Sequence, residues 1–203
     1  MAMTPYLNIH THYPLFVGEA TPTSCGLHPW HVTACWEEQL RSLFTPERIA
    51  EIDVIGECGL DLLCEVPIDL QEAAFRHQIA LSEELHKPLI IHCVRAIDDI
   101  IRLHRGTTQS WIIHGFRGKP QQAEQLTKLG FFLSVPYRPS QEGQPHPSAF
   151  LSSCPIEALF LETDDICAPI APLYRSVALQ LGMSVEQLCN QVWENARRAG
   201  ICK

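Results

Sequence analysis

The sequence predicts an α/β fold, a TIM-barrel-like parallel (β/α) barrel in a single domain over residues 1–203, and three observations carry that expectation. Apolar runs alternate with amphipathic stretches at helical spacing, the pattern of a parallel sheet joined by helices. The runs are hydrophobic throughout rather than at every second residue, as in strands covered on both faces. Several end abruptly in His, Asp or Glu, and parallel strands deliver such residues to one rim. At 203 residues the chain is long enough for a full core but short for a complete eight-stranded barrel.

Taken in order, Tyr6-Leu7-Asn8-Ile9-His10-Thr11-His12 reads as a strand whose last two histidines stand at i and i+2, point the same way and form half of a chelate. Residues 13–23, with Pro14, Gly18 and Pro22 and no periodicity, read as a loop or a vestigial unit. Cys25-Gly26-Leu27-His28-Pro29-Trp30-His31 places two more histidines around a proline that breaks any regular element. They suit the rim of a site, as substrate contacts or as solvent-facing loop residues, and are weaker metal ligands than His10 and His12. Residues 36–44 look helical, and Thr45-Pro46 opens another helical turn. Val54-Ile55-Gly56-Glu57-Cys58-Gly59-Leu60-Asp61 is then a buried strand in which Gly56 and Gly59 let other backbone approach closely around Glu57. A carboxylate placed there needs a partner, whether a cap, an ion pair or a metal.

Leu70, Ala74, Leu81 and Leu85 make one stripe of an amphipathic helix over residues 70–85, stopped by Lys87-Pro88. Leu89-Ile90-Ile91-His92 is an apolar strand ending in His, with Arg95 three residues on; Ile97, Ile100, Ile101 and His104 repeat the helical stripe, closed by Gly106. Trp111-Ile112-Ile113-His114 is a further run ending in His, followed by Gly115-Phe116-Arg117-Gly118. A helix over 120–129, a strand over 131–135 and a Pro-rich, polar loop over 138–147 lead to Ala158-Leu159-Phe160-Leu161-Glu162-Thr163-Asp164-Asp165, a run ending in acids. Two helices close the chain, over 173–181 before Gly182 and over 184–199, where Ser184-Val185-Glu186-Gln187 fits a capping box.

Composition narrows the function. With 46% hydrophobic and 19% charged residues and no apolar stretch near the roughly 20 residues of a membrane helix, the chain reads as a globular protein without a membrane partner. Residues 1–8 hold no basic segment followed by an apolar one, which points to the cytoplasm. The nine cysteines are odd in number and form no Cys-x-x-Cys pair, in keeping with a reducing compartment. A formal charge of −8 argues against a broad surface for gripping duplex nucleic acid. A phosphate substrate would be held locally, by cations near the strand ends such as Arg95, Arg117, Lys119 and Arg138, aided by His28 and His31.

On one rim, His10, His12, Glu57, His92, His114 and Asp164 would converge. Four imidazoles and two carboxylates suit one or two divalent ions such as zinc or manganese, two only if one group bridges. Lys87, Lys119, Lys128 and Lys203 are the only lysines and none ends a strand, so Glu57 is the expected bridge. Such a pair supplies a hydroxide near neutral pH and clamps both oxygens of a displacement at phosphorus, with Asp164 placed to take the proton. Glu57 and Asp164 are therefore the expected catalytic residues.

These motifs, His10-Thr11-His12, Gly26-Leu27-His28-Pro29-Trp30, Ile55-Gly56-Glu57-Cys58-Gly59-Leu60-Asp61, Ile90-Ile91-His92, Ile113-His114-Gly115-Phe116-Arg117-Gly118 and Leu161-Glu162-Thr163-Asp164, occur in the order found in TatD-like metal-dependent hydrolases, which the chain resembles from His10 to about Asn195. The resemblance implies a distorted barrel with one or two divalent ions (Zn, Mn or Mg) and hydrolysis of phosphodiesters, including deoxyribonuclease activity; with the six convergent ligands, exposed DNA ends are the expected substrate. Three features depart from the pattern: Asn8 replaces an Asp, Arg95 lies one residue late, and Asp165-Ile166-Cys167 replaces a small or apolar residue, Pro and an aromatic. The stretch between His12 and Cys25 is too short for a helix and a strand, so a barrel short of one strand/helix unit is expected. The alternatives are hydrolysis of another ester, amide or lactone on the same metal pair, or a metal-binding partner protein of weak catalysis; the oligomeric state is left open.

Overall fold

The computed structural model describes residues 4–139 and 148–201. Eight strands and seven α-helices follow in chain order among these: β1 (Tyr6–Leu7), β2 (Glu19–Ala20), β3 (Ser24–Cys25), α1 (Trp36–Leu43), α2 (Pro46–Glu51), β4 (Val54–Asp61), α3 (Ile68–Leu85), β5 (Leu89–Val94), α4 (Ile97–His104), β6 (Trp111–Ile113), α5 (Pro120–Lys128), β7 (Phe132–Pro136), β8 (Leu159–Glu162), α6 (Ala171–Leu181) and α7 (Val185–Arg198). Every recorded pairing of these strands is parallel, as the uninterrupted apolar runs predict. Most of the expected loop over 138–147 lies outside the described residues. No helix among those described is long and apolar enough to cross a membrane, and their eight cysteines are all free thiols.

Internal contacts divide the chain into two compact units. Of the described residues, the first unit takes 4–22, 114–139 and 148–198; the second takes 23–113 and 199–201.

In the first unit β1 pairs with β2, and β7 with β8. Residues 13–23 hold the two-residue β2 but no helix, so the shortened crossover kept a stub of its strand. The unit is tied by buried polar side chains that reach backbone acceptors: Tyr174 on α6 donates to the Leu7 carbonyl (2.8 Å), and Asn195 on α7 donates to Leu159 O (2.8 Å). The expected capping box opens α7, since Ser184 Oγ accepts from Gln187 N–H (3.1 Å) while Gln187 Oε1 accepts from Ser184 N–H (2.8 Å).

In the second unit β3, β4, β5 and β6 lie side by side. Helix α3 buries more than the expected stripe. Of that stripe Ala74 is buried, with Leu70 packed against its cluster, and Leu70, Leu81 and Leu85 are half-buried; beside it Gln71, Phe75, Gln78 and Ser82 are buried as well. The reason is polar bonding. Gln78 Oε1 accepts from Leu27 N–H (2.8 Å) and its Nε2 donates to Leu27 O (3.2 Å); Ser82 Oγ donates to Lys87 O (2.6 Å). Buried amides on α3 thus replace strand neighbours that loop backbone would otherwise lack.

Candidate functional site

Each unit assembles its own set of metal-type ligands. In the first, chain beyond β1 runs beside the end of β8: Ile9 N–H donates to Leu161 O (2.9 Å), Asp164 N–H to His10 O (3.1 Å) and His12 N–H to Asp164 O (3.0 Å). The regular strand stops at Leu7, short of the histidines, and a single parallel bridge, Thr11 with Asp164, holds the pair. Part of the ladder is taken over by a side chain, because buried Asn8 donates to Thr163 Oγ1 (2.8 Å) and accepts from Thr163 N–H (3.1 Å). An ionised Asp at position 8 could not donate there and would have to accept the Thr163 hydroxyl instead.

As a result His10 Nε2 and His12 Nε2 lie 3.7 and 3.6 Å from Asp164 Oδ1. The His10 and His12 rings stand 4.8 Å apart, as i and i+2 spacing requires, and His114 packs edge-on to His10 at 4.9 Å. Glu162, the last residue of β8, adds a wholly buried carboxylate 3.5 Å from His114 Nδ1, and Gly115 N–H donates to it. Burial alone would raise the Glu162 carboxyl, but His114, His10 and the Ser134 hydroxyl outweigh it and hold the group below the usual carboxylate range. His114, Glu162 and Asp164 each bring a donor atom within 4.8 Å of the others.

The second set is built on β4. Its pairing with β5 slips by one residue between Ile55 and Cys58, where Glu57 sits. Gly56 is required here: at φ +149° its ideal Cβ would come 2.6 Å from the Ile90 carbonyl oxygen. Glu57 is therefore a mid-strand residue presented by a bulge, and β4 runs four residues further before ending at Asp61. Glu57 Oε1 lies 2.7 Å from His92 Nδ1 and 3.1 Å from His28 Nε2; the two imidazole nitrogens are 3.2 Å apart. The other His92 nitrogen, Nε2, lies 3.1 Å from Asp61 Oδ2.

His28 thus joins His92 and Glu57 as a potential ligand. Its protons give it another part. His28 Nδ1 accepts the Trp30 backbone N–H (3.2 Å), and burial favours the neutral ring against the pull of Glu57, lowering its pKa. The single ring proton is then on Nε2, so His28 donates toward Glu57 rather than offering a lone pair.

Asp61 is gripped on every side: Trp30 Nε1–H donates to Oδ2 (2.6 Å), Leu63 N–H to Oδ1 (2.8 Å), and Gln71 bonds both its backbone N–H (2.8 Å) and its carbonyl (3.0 Å). Burial opposes ionisation, but the bonds from Trp30, Leu63 and His92 hold its carboxyl below the usual range. Trp30, more than half exposed, also walls an open cleft of about 540 Å³ with Val32, Cys64, Val66 and Leu70.

Within the first unit, then, the structure gathers the expected His10, His12, His114 and Asp164; within the second, Glu57 and His92, joined by His28. His31 is exposed with its ring 5.7 Å from that of His28, and Arg95 and Arg117 are exposed where β5 and β6 give out. Sequence reasoning missed Asp61 and Glu162. Both were legible by its own rule, since each is an acid at the last position of an apolar strand.

The residues fit a divalent ion. Imidazole and carboxylate are the donors such ions take. The separations of 3.5–3.7 Å from His10, His12 and His114 to the Asp164 and Glu162 carboxylates are close to the separation of about 3.3 Å between two donors bound at ~2.0–2.1 Å around a tetrahedral ion. Glu162 Oε2 is buried with no hydrogen-bond partner among the described residues, an acceptor in need of a cation.

The family model for TatD-related DNases matches residues 17–199. Among curated proteins, the chain is 28% identical over 192 residues to the uncharacterized metal-dependent hydrolase YabD of Bacillus subtilis, covering 85% of this chain and 74% of that one. It is 31% identical over 160 residues to the 3'-5' ssDNA/RNA exonuclease TatD of Edwardsiella piscicida, covering 74% of this chain but only 61% of the exonuclease. Of solved structures, YjjV, a TatD homologue from Escherichia coli K12, superposes with a TM-score of 0.69 over 93% of this chain and 79% of its own at 22% identity, a likeness of fold. Together with ligand sets that suit a divalent ion, these matches show that the chain belongs to the TatD-related DNase family of metal-dependent hydrolases.

Proposed function

We propose that this chain is a phosphodiesterase acting on exposed nucleic-acid ends, residues 1–203 serving as one cytoplasmic hydrolase domain with one or two zinc, manganese or magnesium ions. The observation that carries the reading is the buried Glu162 oxygen, without a hydrogen-bond partner among the described residues, beside a set of imidazoles and a second carboxylate, a donor arrangement that a cation would complete. The residues that would hold metal are His10, His12, His114 and Asp164, with Glu162 beside them, and Glu57 and His92. The bridging role of Glu57 rests on the sequence, which offers no lysine for it. Bound there, divalent metal would supply a nucleophile near neutral pH and stabilise charge developing at phosphorus.

The chain's own residues do the rest. Asp164, partly exposed, is placed to take a proton as general base. Arg95 and Arg117, exposed and able to reach a phosphate oxygen, orient the substrate, and His28 and His31 line its approach. The relatives named as nucleases support the substrate class, and the eight described cysteines, all free thiols, suit a reducing compartment.

The test is a metal-replete assay on single-stranded DNA, duplex DNA and bis-para-nitrophenyl phosphate, run beside a phosphomonoester and a lactone, with metal analysis of the purified protein. The expected result is a bound divalent ion and turnover of the phosphodiesters. Turnover confined to the monoester or lactone, or no bound ion under non-chelating conditions, would overturn the proposal.

A further inference from the structure

We infer that Trp30 is a substrate-binding residue: its indole, held beside the Glu57 and His92 ligand set, is the platform on which an unpaired base stacks while the adjoining phosphate lies toward that set. The inference rests on the phosphodiesterase reading above and goes beyond it to how the substrate is held.

Trp30 is 57% exposed, yet its indole N–H donates to Asp61 (2.6 Å) and its backbone N–H to His28 Nδ1 (3.2 Å). It is open to water and cannot turn away. The same Asp61 carboxylate takes the Leu63 N–H, so a second large apolar residue, 61% exposed, is fixed on that loop. Holding apolar surface in water costs free energy that a bound ligand would recover. With its one polar atom bonded to Asp61, the indole has only apolar surface left to offer. Its ring meets those of His28 (4.8 Å, 80°) and His92 (5.7 Å, 75°) edge-to-face, so neither imidazole stacks flat on it. A base stacked there keeps its own phosphate within reach of the ligand set.

The cleft that Trp30 walls fits the base and not the phosphate. Its volume of about 540 Å³ lies within the range of small-ligand sites. Val32, Val66, Pro67 and Leu70 line it, and Glu65 is the only charged residue of the lining, so an anion is repelled where a neutral flat ring is not. Val66 and Leu70 pack in turn on the buried cluster of Leu27, Val32, Leu40 and Ala74, which keeps that wall in place. Net charge points the same way. At a formal −8 the chain has few cations to set against a nucleic-acid backbone, whereas stacking on an aromatic face needs none and accepts any base.

A single strand of thymidine and one of abasic residues, alike in backbone and length, separate the base from the phosphate. In the wild type, KM for the thymidine strand should be lower by about 5- to 150-fold, and Trp30→Ala should raise it by a similar factor while changing the abasic strand far less. Trp30→Phe, which keeps a ring but loses the bond to Asp61, should lose less. A binding measurement accompanies the kinetics: a terminal 2-aminopurine on the thymidine strand should lose emission on binding Asp164→Asn protein, where turnover is slowed, and keep it once Trp30→Ala is added. Equal KM for the two strands in the wild type, or equal losses on both in Trp30→Ala carried by kcat, would overturn the inference and leave Trp30 only a support for Asp61. Unquenched 2-aminopurine would overturn it too; self-association that Trp30→Ala abolishes would then give the cleft to a second copy of the chain. If Trp30→Ala fails to fold, the two strands on the wild type and Trp30→Phe still decide the question. Failure of the hydrolase reading is told apart by no turnover of any phosphodiester, and 2-aminopurine emission then tests the platform by itself.

Discussion

The two ligand sets are built in opposite ways. In the second unit the carboxylates are already engaged: Glu57 and Asp61 lie within 2.7–3.1 Å of imidazole nitrogens, and Asp61 takes further bonds from Trp30 and Leu63. In the first unit the imidazoles stand 3.5–3.7 Å from Asp164 and Glu162, and one Glu162 oxygen has no described partner. The difference shows two solutions to the cost of burying like charges. One set holds Glu57 and Asp61 at hydrogen-bond distance from imidazole nitrogens; the other keeps one buried Glu162 oxygen without a hydrogen-bond partner among the described residues, where a cation would offset the cost of burial.

The strongest test of that contrast replaces one acid from each set. Glu57→Ala is expected to abolish phosphodiester turnover, and Asp164→Asn to lower kcat by about 10²–10⁴-fold, the range for loss of a general base. Full activity in the Glu57 variant would break the assignment of that residue. Next in size is Glu162→Gln, which keeps an acceptor for Gly115 but removes the charge. It should weaken metal binding by about 10- to 100-fold, and because the neighbouring imidazoles hold this carboxyl below the usual range against its burial, it should also lower the melting temperature of the metal-free protein at neutral pH. An unchanged metal-free melting temperature would mean that those imidazoles do not stabilise the charge.

A smaller effect separates support from chemistry. Gln71→Ala leaves the Asp61 backbone N–H without its partner and the Asp61 carbonyl with only the Cys64 thiol, and should cost roughly 2 kcal/mol in denaturant unfolding. The smallest expected effect is at the surface. Bonds from Arg102, and then Arg76, hold the Glu72 carboxyl below its usual range despite partial burial. A depressed folded-state pKa contributes stability above the unfolded pKa and loses it as pH falls through the folded value. Glu72→Gln should therefore melt slightly earlier at neutral pH, with the gap closing below the ordinary carboxylate range.

Much of this molecule was legible as pattern. Apolar runs marked the longer strands, helical spacing marked the helices, and Ser184 with Gln187 marked the start of α7, because each signal lies within a few residues of its effect. The strand β2 escaped notice because two residues carry no period. The buried face of α3 reaches beyond the apolar stripe to Gln71, Gln78 and Ser82, which look like surface residues until their backbone partners are known. The two glycines mark Glu57 as a special position, but the mid-strand bulge that presents it shows only when β4 is laid against β5.

For the site, the sequence by itself determined the cast: the histidines at strand exits, the Glu between two glycines, and the final Asp, all set by local order along the chain. Only the tertiary structure decided what each does with its protons and charge. It drew Asp61 to His92 across 31 residues, set Glu162 beside His114 across 48, and turned His28 from a rim residue into a donor toward Glu57. Periodicity records which side chains are buried. Which nitrogen carries a proton depends on partners that only folding brings within 3 Å or so, and that is where ligand and support part.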